Sequence, residues 1–257
     1  MSAIKNPTCM DDYVALLSNQ EDFISQANYG DGEWSCILQK SGMNSQGGLY
    51  TPELAHALRH TLLHPVFTYF GTNPGKRLEH EVGNWLFRTG INVPAINPHG
   101  LDPMMKRDSD LRWVHKEYMP SANLRGNLGS FISLLRNRKV ILVGGPHLKR
   151  LDAFKFDYVD VPGKNAFTHR EKTTKKVLSK IMTTFPDIVL FSAGMASNPI
   201  MWDLATKNCM CHMFDTGAIW DPFVGVYSRK GYQRPGFRKM ILKSLEFADN
   251  ESNIALP

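Results

Sequence analysis

The sequence predicts an α/β fold, a Rossmann-like and mostly parallel sheet with helices on both faces in a single domain. Three observations carry that expectation. Strand and helix patterns alternate from residue 139 onward. The strands in that stretch are apolar throughout, as strands covered on both faces are. The chain's 257 residues, 42% of them apolar, suffice for one sizeable core.

Taken in order, residues 11–26 read as a helix opened by Asp11-Asp12, with Val14, Leu16, Leu17, Phe23 and Ile24 as apolar positions. Residues 33–38 read as a short strand, followed by a loop over 41–50 rich in Gly, Ser and Asn. Thr51-Pro52-Glu53 opens a helix with Pro in its first turn and Leu54, Leu58 and Leu62 as its stripe. His56, His60 and His64 recur on that helix about 200° from the leucines, which assigns them to the solvent face. A strand over 66–70, a helix over 77–89 closed by Gly90, a long loop over 92–110, and helices over 110–118 and 127–137 complete the first half. In the second half, strands at 139–143, 158–161, 187–192 and 211–214 alternate with helices at 170–184 and 198–207. There is no internal repeat and no clear linker.

Thirty Lys and Arg against twenty-four Asp and Glu give a net charge of +6, which favours acidic ligands. Basic residues concentrate at 169–176 and at 227–239, and the second stretch interleaves aromatics with Arg229, Lys230, Arg234 and Arg238. Such a composition pairs phosphates and stacks on bases or sugars; it is equally that of a solvated tail. Cys9, Cys36, Cys209 and Cys211 form no C-x-x-C pair, so they read as reduced thiols without a metal. No apolar run approaches a membrane span and no signal pattern opens the chain, so the expectation is a soluble cytoplasmic protein.

The most informative stretch is Tyr29-Gly30-Asp31-Gly32-Glu33-Trp34. In an extended segment residues i and i+2 share a face, so Asp31 and Glu33 would converge on one cation. Gly30 and Gly32 permit φ > 0 and the close approach of a metal-bound diphosphate. Taken alone, Gly-Asp-Gly reads more simply as a turn. Its company adds weight, because ligands of such sheets bind beyond the carboxyl ends of the strands. There stand Gly144-Gly145 with His147, Lys164-Asn165, Gly194 to Ser197, and Asp215 with Gly217 and Asp221. Gly144-Gly145 is neither a dinucleotide fingerprint nor a P-loop. Ser197 or Asn198 would cap the following helix and turn its amides toward an anion. Lys164 and Asn165 would neutralise and orient a phosphate or ribose, and Asp215, Asp221 or His147 would serve as a base.

The order of these motifs resembles the GT-D type glycosyltransferases. The resemblance rests on Gly30 to Glu33, Gly144-Gly145, Val161-Pro162-Gly163-Lys164-Asn165-Ala166-Phe167, Gly194 to Ser197, and Asp215-Thr216-Gly217, spanning roughly residues 11–225. It implies transfer of a sugar from a nucleoside-diphosphate donor. Asp31 and Glu33 would be the Asp-x-Glu pair that holds Mn²⁺ or Mg²⁺, and Tyr29, Gly30, Gly32, Gly144, Gly145, Lys164, Asn165, Gly194, Ser197 and Gly217 would line the donor site. The family has Arg before the aromatic of the first motif, where this chain has Asn28, so one cationic contact to the donor is expected to be either missing or supplied by Lys164 or Arg170.

The expected organisation is a glycosyltransferase domain over 1–225 and a basic, aromatic extension over 226–257 packed on it or flanking it. Arg229, Lys230, Tyr232, Arg234 and Arg238 are the expected contacts to a polyanionic acceptor. The acceptor preferred on this charge pattern is a hydroxymethylated base in DNA, as some phages make. The alternatives are a glycan or glycoprotein acceptor, a non-catalytic nucleic-acid-binding module, and a metal-dependent nuclease or phosphatase.

Overall fold

The computed structural model describes Pro7 and residues 9–18, 23–43, 48–91, 96–97, 100–101, 113–115 and 118–252. Within these residues the strands are β1 (Ser25–Tyr29), β2 (Tyr69–Thr72), β3 (Ile96–Asn97), β4 (Gly100–Leu101), β5 (Trp113–His115), β6 (Val140–Gly144), β7 (Asp157–Asp160), β8 (Ile188–Ser192) and β9 (His212–Asp215). The helices are α1 (Met10–Ser18), α2 (Asp31–Ile37), α3 (Pro52–Leu63), α4 (Glu79–Thr89), α5 (Tyr118–Arg125), α6 (Gly129–Arg136), α7 (Arg170–Thr184), α8 (Ser197–Ala205) and α9 (Phe237–Ser252).

Seven strands form one sheet in the order β5-β2-β1-β9-β8-β6-β7, and every pairing in it is parallel. The expected parallel α/β sheet is therefore present. β3 and β4 form a separate antiparallel pair. Side chains of one strand parity join α2, α3, α4, α7 and α8 in one core, through Ala27, Ile141, Val143, Val189, Phe191 and Met213. The other parity, through Tyr69, Val140, Leu142, Ile188, Leu190 and Phe214, packs with α1, α5 and α6 and with Ala248 of α9. Period-two alternation thus fills both faces with apolar contacts, which is why β6 and β8 read as unbroken hydrophobic runs.

The second half follows its sequence pattern closely: α7 spans the expected residues, and β6, β7, β8, α8 and β9 fall within two or three residues of theirs. α3 begins at Thr51, whose hydroxyl accepts from the Leu54 amide, and α4 ends at Gly90 with φ 71°. Of the three histidines expected on the solvent face, His56 on α3 and His64 just past its end are exposed, whereas His60 is half-buried with its ring 4.6 Å from that of Trp202. No helix among the described residues is long and apolar enough to cross a membrane.

The first half departs from its pattern at four places. The expected strand over 33–38 is helix α2, because Gly30 sits at the N-cap and Glu33 folds back to it, with both acids in the first turn. The expected helix over 11–26 ends at Ser18, and Ser25–Tyr29 is instead a central strand, buried at every position despite three polar residues. The expected strand over 66–70 lies at Tyr69–Thr72. The expected helix over 110–118 contains strand β5, which pairs with β2, and the following helix α5 begins only at Tyr118. Most of the predicted 92–110 loop lies outside the described residues.

Residues 226–252 are folded against the sheet domain. Tyr232, Phe237 and Ile241 make a small core with Leu124 of α5 beside it, and α9 packs along α6 and α5.

Candidate active site

Strands β1 and β9 separate toward their carboxyl ends, and that separation makes the site. They pair only at Ser25 with Met213 and Gln26 with Phe214. Beyond that point Asn198 of α8 occupies the β1 backbone: its Oδ1 accepts from Asn28 N–H at 3.2 Å and its Nδ2 donates to the Asn28 carbonyl at 2.8 Å. The Asn28 side chain spans the gap, its Nδ2 donating to the Asp215 carbonyl and its Oδ1 accepting from Gln26 Nε2 at 2.9 Å. Gln26 Oε1 in turn accepts from the hydroxyls of Tyr13 and Tyr118. Buried polar groups of this kind hold one arrangement because an unmade bond among them is costly.

Above this network lies a polar pocket of 190 Å³, lined by Asn28, Asp31, Gly32, Glu33, Tyr50, Asp215, Thr216 and Arg229 together with Met119 and Pro120. Asp31 is exposed, and its Oδ1 accepts from the Gly32 amide at 3.0 Å. Glu33 is buried, and its Oε2 accepts from the Gly30 amide at 2.7 Å. Asp215 Oδ1 accepts from the Gly217 amide at 3.1 Å. The Tyr50 hydroxyl is held above its usual pKa by burial, and the nearby Asp31 and Glu33 charges add to the rise.

A second cavity, of 270 Å³, runs beyond the ends of β9, β8, β6 and β7. Its walls are mainly apolar: Leu49, Leu54, Val161, Pro162, Phe167, Met195 and Val226. Polar groups stand at Asn165, Ser192, Ser228 and a linked pair, His147 and Asp221. His147 Nε2 and Asp221 Oδ1 lie 2.9 Å apart, and the Ser228 hydroxyl donates to Asp221 Oδ2 at 2.6 Å. The cavity and the polar pocket share Gly194 and Gly217 in their walls. Both glycines have positive φ, 59° and 53°, a conformation that a side chain would strain.

No protein-family model and no curated protein matches the chain. Solved structures do. A domain of unknown function 1792 (DUF1792) matches with a TM-score of 0.55 and 15% identity, over 86% of this chain and 81% of that one. A structure described as a new glycosyltransferase (DUF1792) from Streptococcus sanguinis gives 0.54 and 15%, over 84% of each chain. A third, described as showing that DUF1792 has a distinct glycosyltransferase fold, gives 0.54 and 14%, over 86% and 81%. The chain has the DUF1792 fold. At this identity the likeness concerns architecture, so the chemistry has to come from the residues in the two clefts.

On the DUF1792 fold, the first motif reaches the site by a different geometry from the one expected. Asp31 and Glu33 lie in the first turn of a helix, where i and i+2 point about 200° apart, and not on one face of a strand. Both nonetheless line the polar pocket, since Glu33 turns inward to cap Gly30 while Asp31 stays at the rim. Neither Gly30 nor Gly32 has positive φ. Tyr29 is a core residue, fully buried, hydrogen-bonded to Thr61 and packed against Trp34 and Phe70.

Of the remaining expected donor residues, Gly145, Asn165, Gly194 and Gly217 line the apolar cavity. Gly144 does not; a Cβ there would lie 2.6 Å from Leu148 Cδ1, so its smallness serves packing. Ser197 is buried, accepts from the Ala193 amide at 3.2 Å and leaves α8 without a side-chain cap, as does Asn198. Lys164 is exposed and outside both linings. Arg170 is engaged by Asp203 through two nitrogens and lines a separate surface cleft.

Among the expected acceptor residues, Arg229 lines the polar pocket, whereas Lys230, Arg234 and Arg238 are exposed. Tyr232 is 2% exposed and stacks on Phe237 at 5.0 Å, which withdraws its ring from any base. Sequence reasoning passed over Asn28 as a structural element, Tyr50, and Phe167 as a cavity wall. Only Phe167 carried a readable signal, its place in the Asn-Ala-Phe motif. The cysteines are free thiols, and burial pushes Cys36 up to about 11 and Cys211 up to about 12.

Proposed function

We propose that this chain is a metal-dependent glycosyltransferase that moves a sugar from a nucleoside diphosphate to an acceptor hydroxyl. One observation carries the reading: a mostly apolar cavity meets a carboxylate-lined pocket at two positive-φ glycines, beyond the carboxyl ends of a parallel sheet. The apolar cavity suits a nucleoside, with Phe167 as a ring to stack on and Asn165 as a polar contact. The glycine junction suits a diphosphate, which needs close backbone approach. The polar pocket is left for the sugar and the acceptor.

Asp31 and Glu33 present oxygen ligands of the kind that Mg²⁺ and Mn²⁺ prefer, so the residues fit such an ion. Among the described residues no group of three or more His, Cys, Asp or Glu forms a ready-made metal cage, so donor phosphates and water would complete the coordination. The ion, when bound, stabilises charge building on the diphosphate leaving group. Asp31 at the rim and Glu33 beneath it would hold it. Asp215 lines the same pocket and would take the acceptor proton, while His147 and Asp221 bond each other on the nucleoside side.

For the acceptor, Lys230, Arg234 and Arg238 are exposed on the segment that carries Arg229, which keeps a hydroxymethylated base in DNA as the first acceptor to try and a glycan as its alternative. The deciding experiment measures thermal shift and turnover with a panel of sugar nucleotides, with and without Mn²⁺, for the wild type and Asp31→Ala. The expected outcome is metal-dependent stabilisation by one donor and a loss of kcat on the order of 10²- to 10³-fold in the variant. Full turnover in Asp31→Ala, or stabilisation by DNA alone, would overturn the reading.

A further inference from the structure

We infer that Arg229, delivered by the C-terminal segment, is the cation that grips the donor diphosphate, and that residues 226–229 form a wall of the donor site instead of an acceptor-binding tail. This rests on the donor reading above. Val226 and Ser228 line the apolar cavity and Arg229 lines the polar pocket, so three residues of this short segment border the two clefts between them. A Cβ placed on Gly217 would lie 3.5 Å from Arg229 Nη2, which sets the guanidinium against the glycine turn where the clefts meet.

Among the described residues the guanidinium is also uncommitted. Arg136 pairs with Asp249, Arg170 with Asp203, and Arg59 donates to the Ile37 carbonyl. Arg229, partly buried, has no ion pair among the described residues. A planar fork of donors matches phosphate oxygens two at a time, and partial burial strengthens that match. The two cations expected from the sequence are spoken for or displaced, since Arg170 is held by Asp203 and Lys164 lies outside both linings.

The backbone that presents Arg229 is fixed on both sides. Before it, Ser228 donates to buried Asp221, which holds His147. After it, the Arg229 carbonyl accepts from the Tyr232 amide at 2.9 Å, and Tyr232 is locked into the small core with Phe237 and Ile241. A Cβ on Gly231 would lie 3.1 Å from Leu124, so this turn is seated closely on α5. A cation positioned in this way before the ligand arrives costs little reorganisation when charge develops.

The test uses the full chain with Mn²⁺ and four probes: inorganic pyrophosphate, the nucleoside diphosphate that stabilises the wild type most, the same nucleoside without phosphate, and duplex DNA. Arg229→Gln should weaken both diphosphate probes about 10- to 100-fold, leave the nucleoside within about twofold, and lower kcat for transfer. Arg229→Lys should recover part of the loss, and melting temperatures should match the wild type. Equal diphosphate affinity in wild type and Arg229→Gln would overturn the inference while leaving the donor reading standing. So would a loss confined to DNA binding, which would return Arg229 to an acceptor surface. A wild type that binds no nucleoside diphosphate would overturn both.

Discussion

Strands β1 and β8 flank the same neighbour, β9, and are built from opposite materials. β8 is Ile188-Val189-Leu190-Phe191-Ser192, four apolar residues that divide between the two cores. β1 is Ser25-Gln26-Ala27-Asn28-Tyr29, equally buried, yet its polar side chains bond to Tyr13, Tyr118, Asp215 and each other. An apolar strand contributes through area and shape, and its neighbours relax partly when it is trimmed. A polar strand contributes through matched donors and acceptors and fails as a unit. In this molecule the first material makes the frame, and the second makes the floor of the pocket.

That contrast can be broken by mutation, and the largest effect is expected in β8. Leu190→Ala should cost about 3 kcal/mol of stability, read by chemical denaturation, while leaving donor affinity unchanged well below the melting temperature. A loss of affinity equal to the loss of stability would erase the distinction between frame and floor. The next effect is expected beside β1. Gly71 of β2 lies where a Cβ would collide with Asn28 Oδ1 and crowd Gln26, so Gly71→Ala should cost about 1–3 kcal/mol and, unlike Leu190→Ala, also reduce turnover at temperatures where the protein is folded.

Glu33 sharpens the contrast at the site itself. Glu33→Gln keeps an oxygen for the Gly30 amide, so stability should change by no more than about 0.5 kcal/mol, while the Mn²⁺ concentration needed for half-maximal turnover should rise. Unchanged metal dependence would make Glu33 a helix cap and nothing more.

The smallest effect is expected at His212, where β9 begins. Its Nδ1 accepts from the Ile24 amide at 3.0 Å, and burial, with Arg138 adding to it, lowers its pKa below the usual imidazole value. The folded state therefore favours the neutral ring. Its contribution is complete above the unfolded pKa of about 6.5 and declines as pH falls through that value toward the lowered folded one. Melting curves between pH 7 and pH 5 should fall less steeply for His212→Asn, which keeps an acceptor and cannot be protonated in that range.

The same difference in materials governs how much could be read in advance. β6, α7, β8, α8 and β9 carry periodic apolar signals and were legible to within a few residues. β1 was not, because Ser25, Gln26 and Asn28 have no strand signature until their partners, from Tyr13 to Asp215, are in place. α2 was misread because Gly30 to Glu33 is compatible with a turn, a strand end or a helix start, and only the Glu33 to Gly30 bond selects the last. Asp31, Glu33 and Asp215 were nameable as acids, but their meeting in one pocket depends on β1 and β9 parting after two residue pairs.

By itself the sequence determined the class of the fold, the strand-end positions of Gly145, Gly194, Asp215 and Gly217, and the absence of a dinucleotide or P-loop fingerprint. All three follow from local patterns, in which neighbours along the chain carry the information. Tertiary structure alone decided that Asn198 opens the sheet beside β1, that Tyr232 is core, and that Arg229 turns inward to the glycine junction. Each of these joins residues distant in sequence through a contact whose energy exists only once the fold has brought them together.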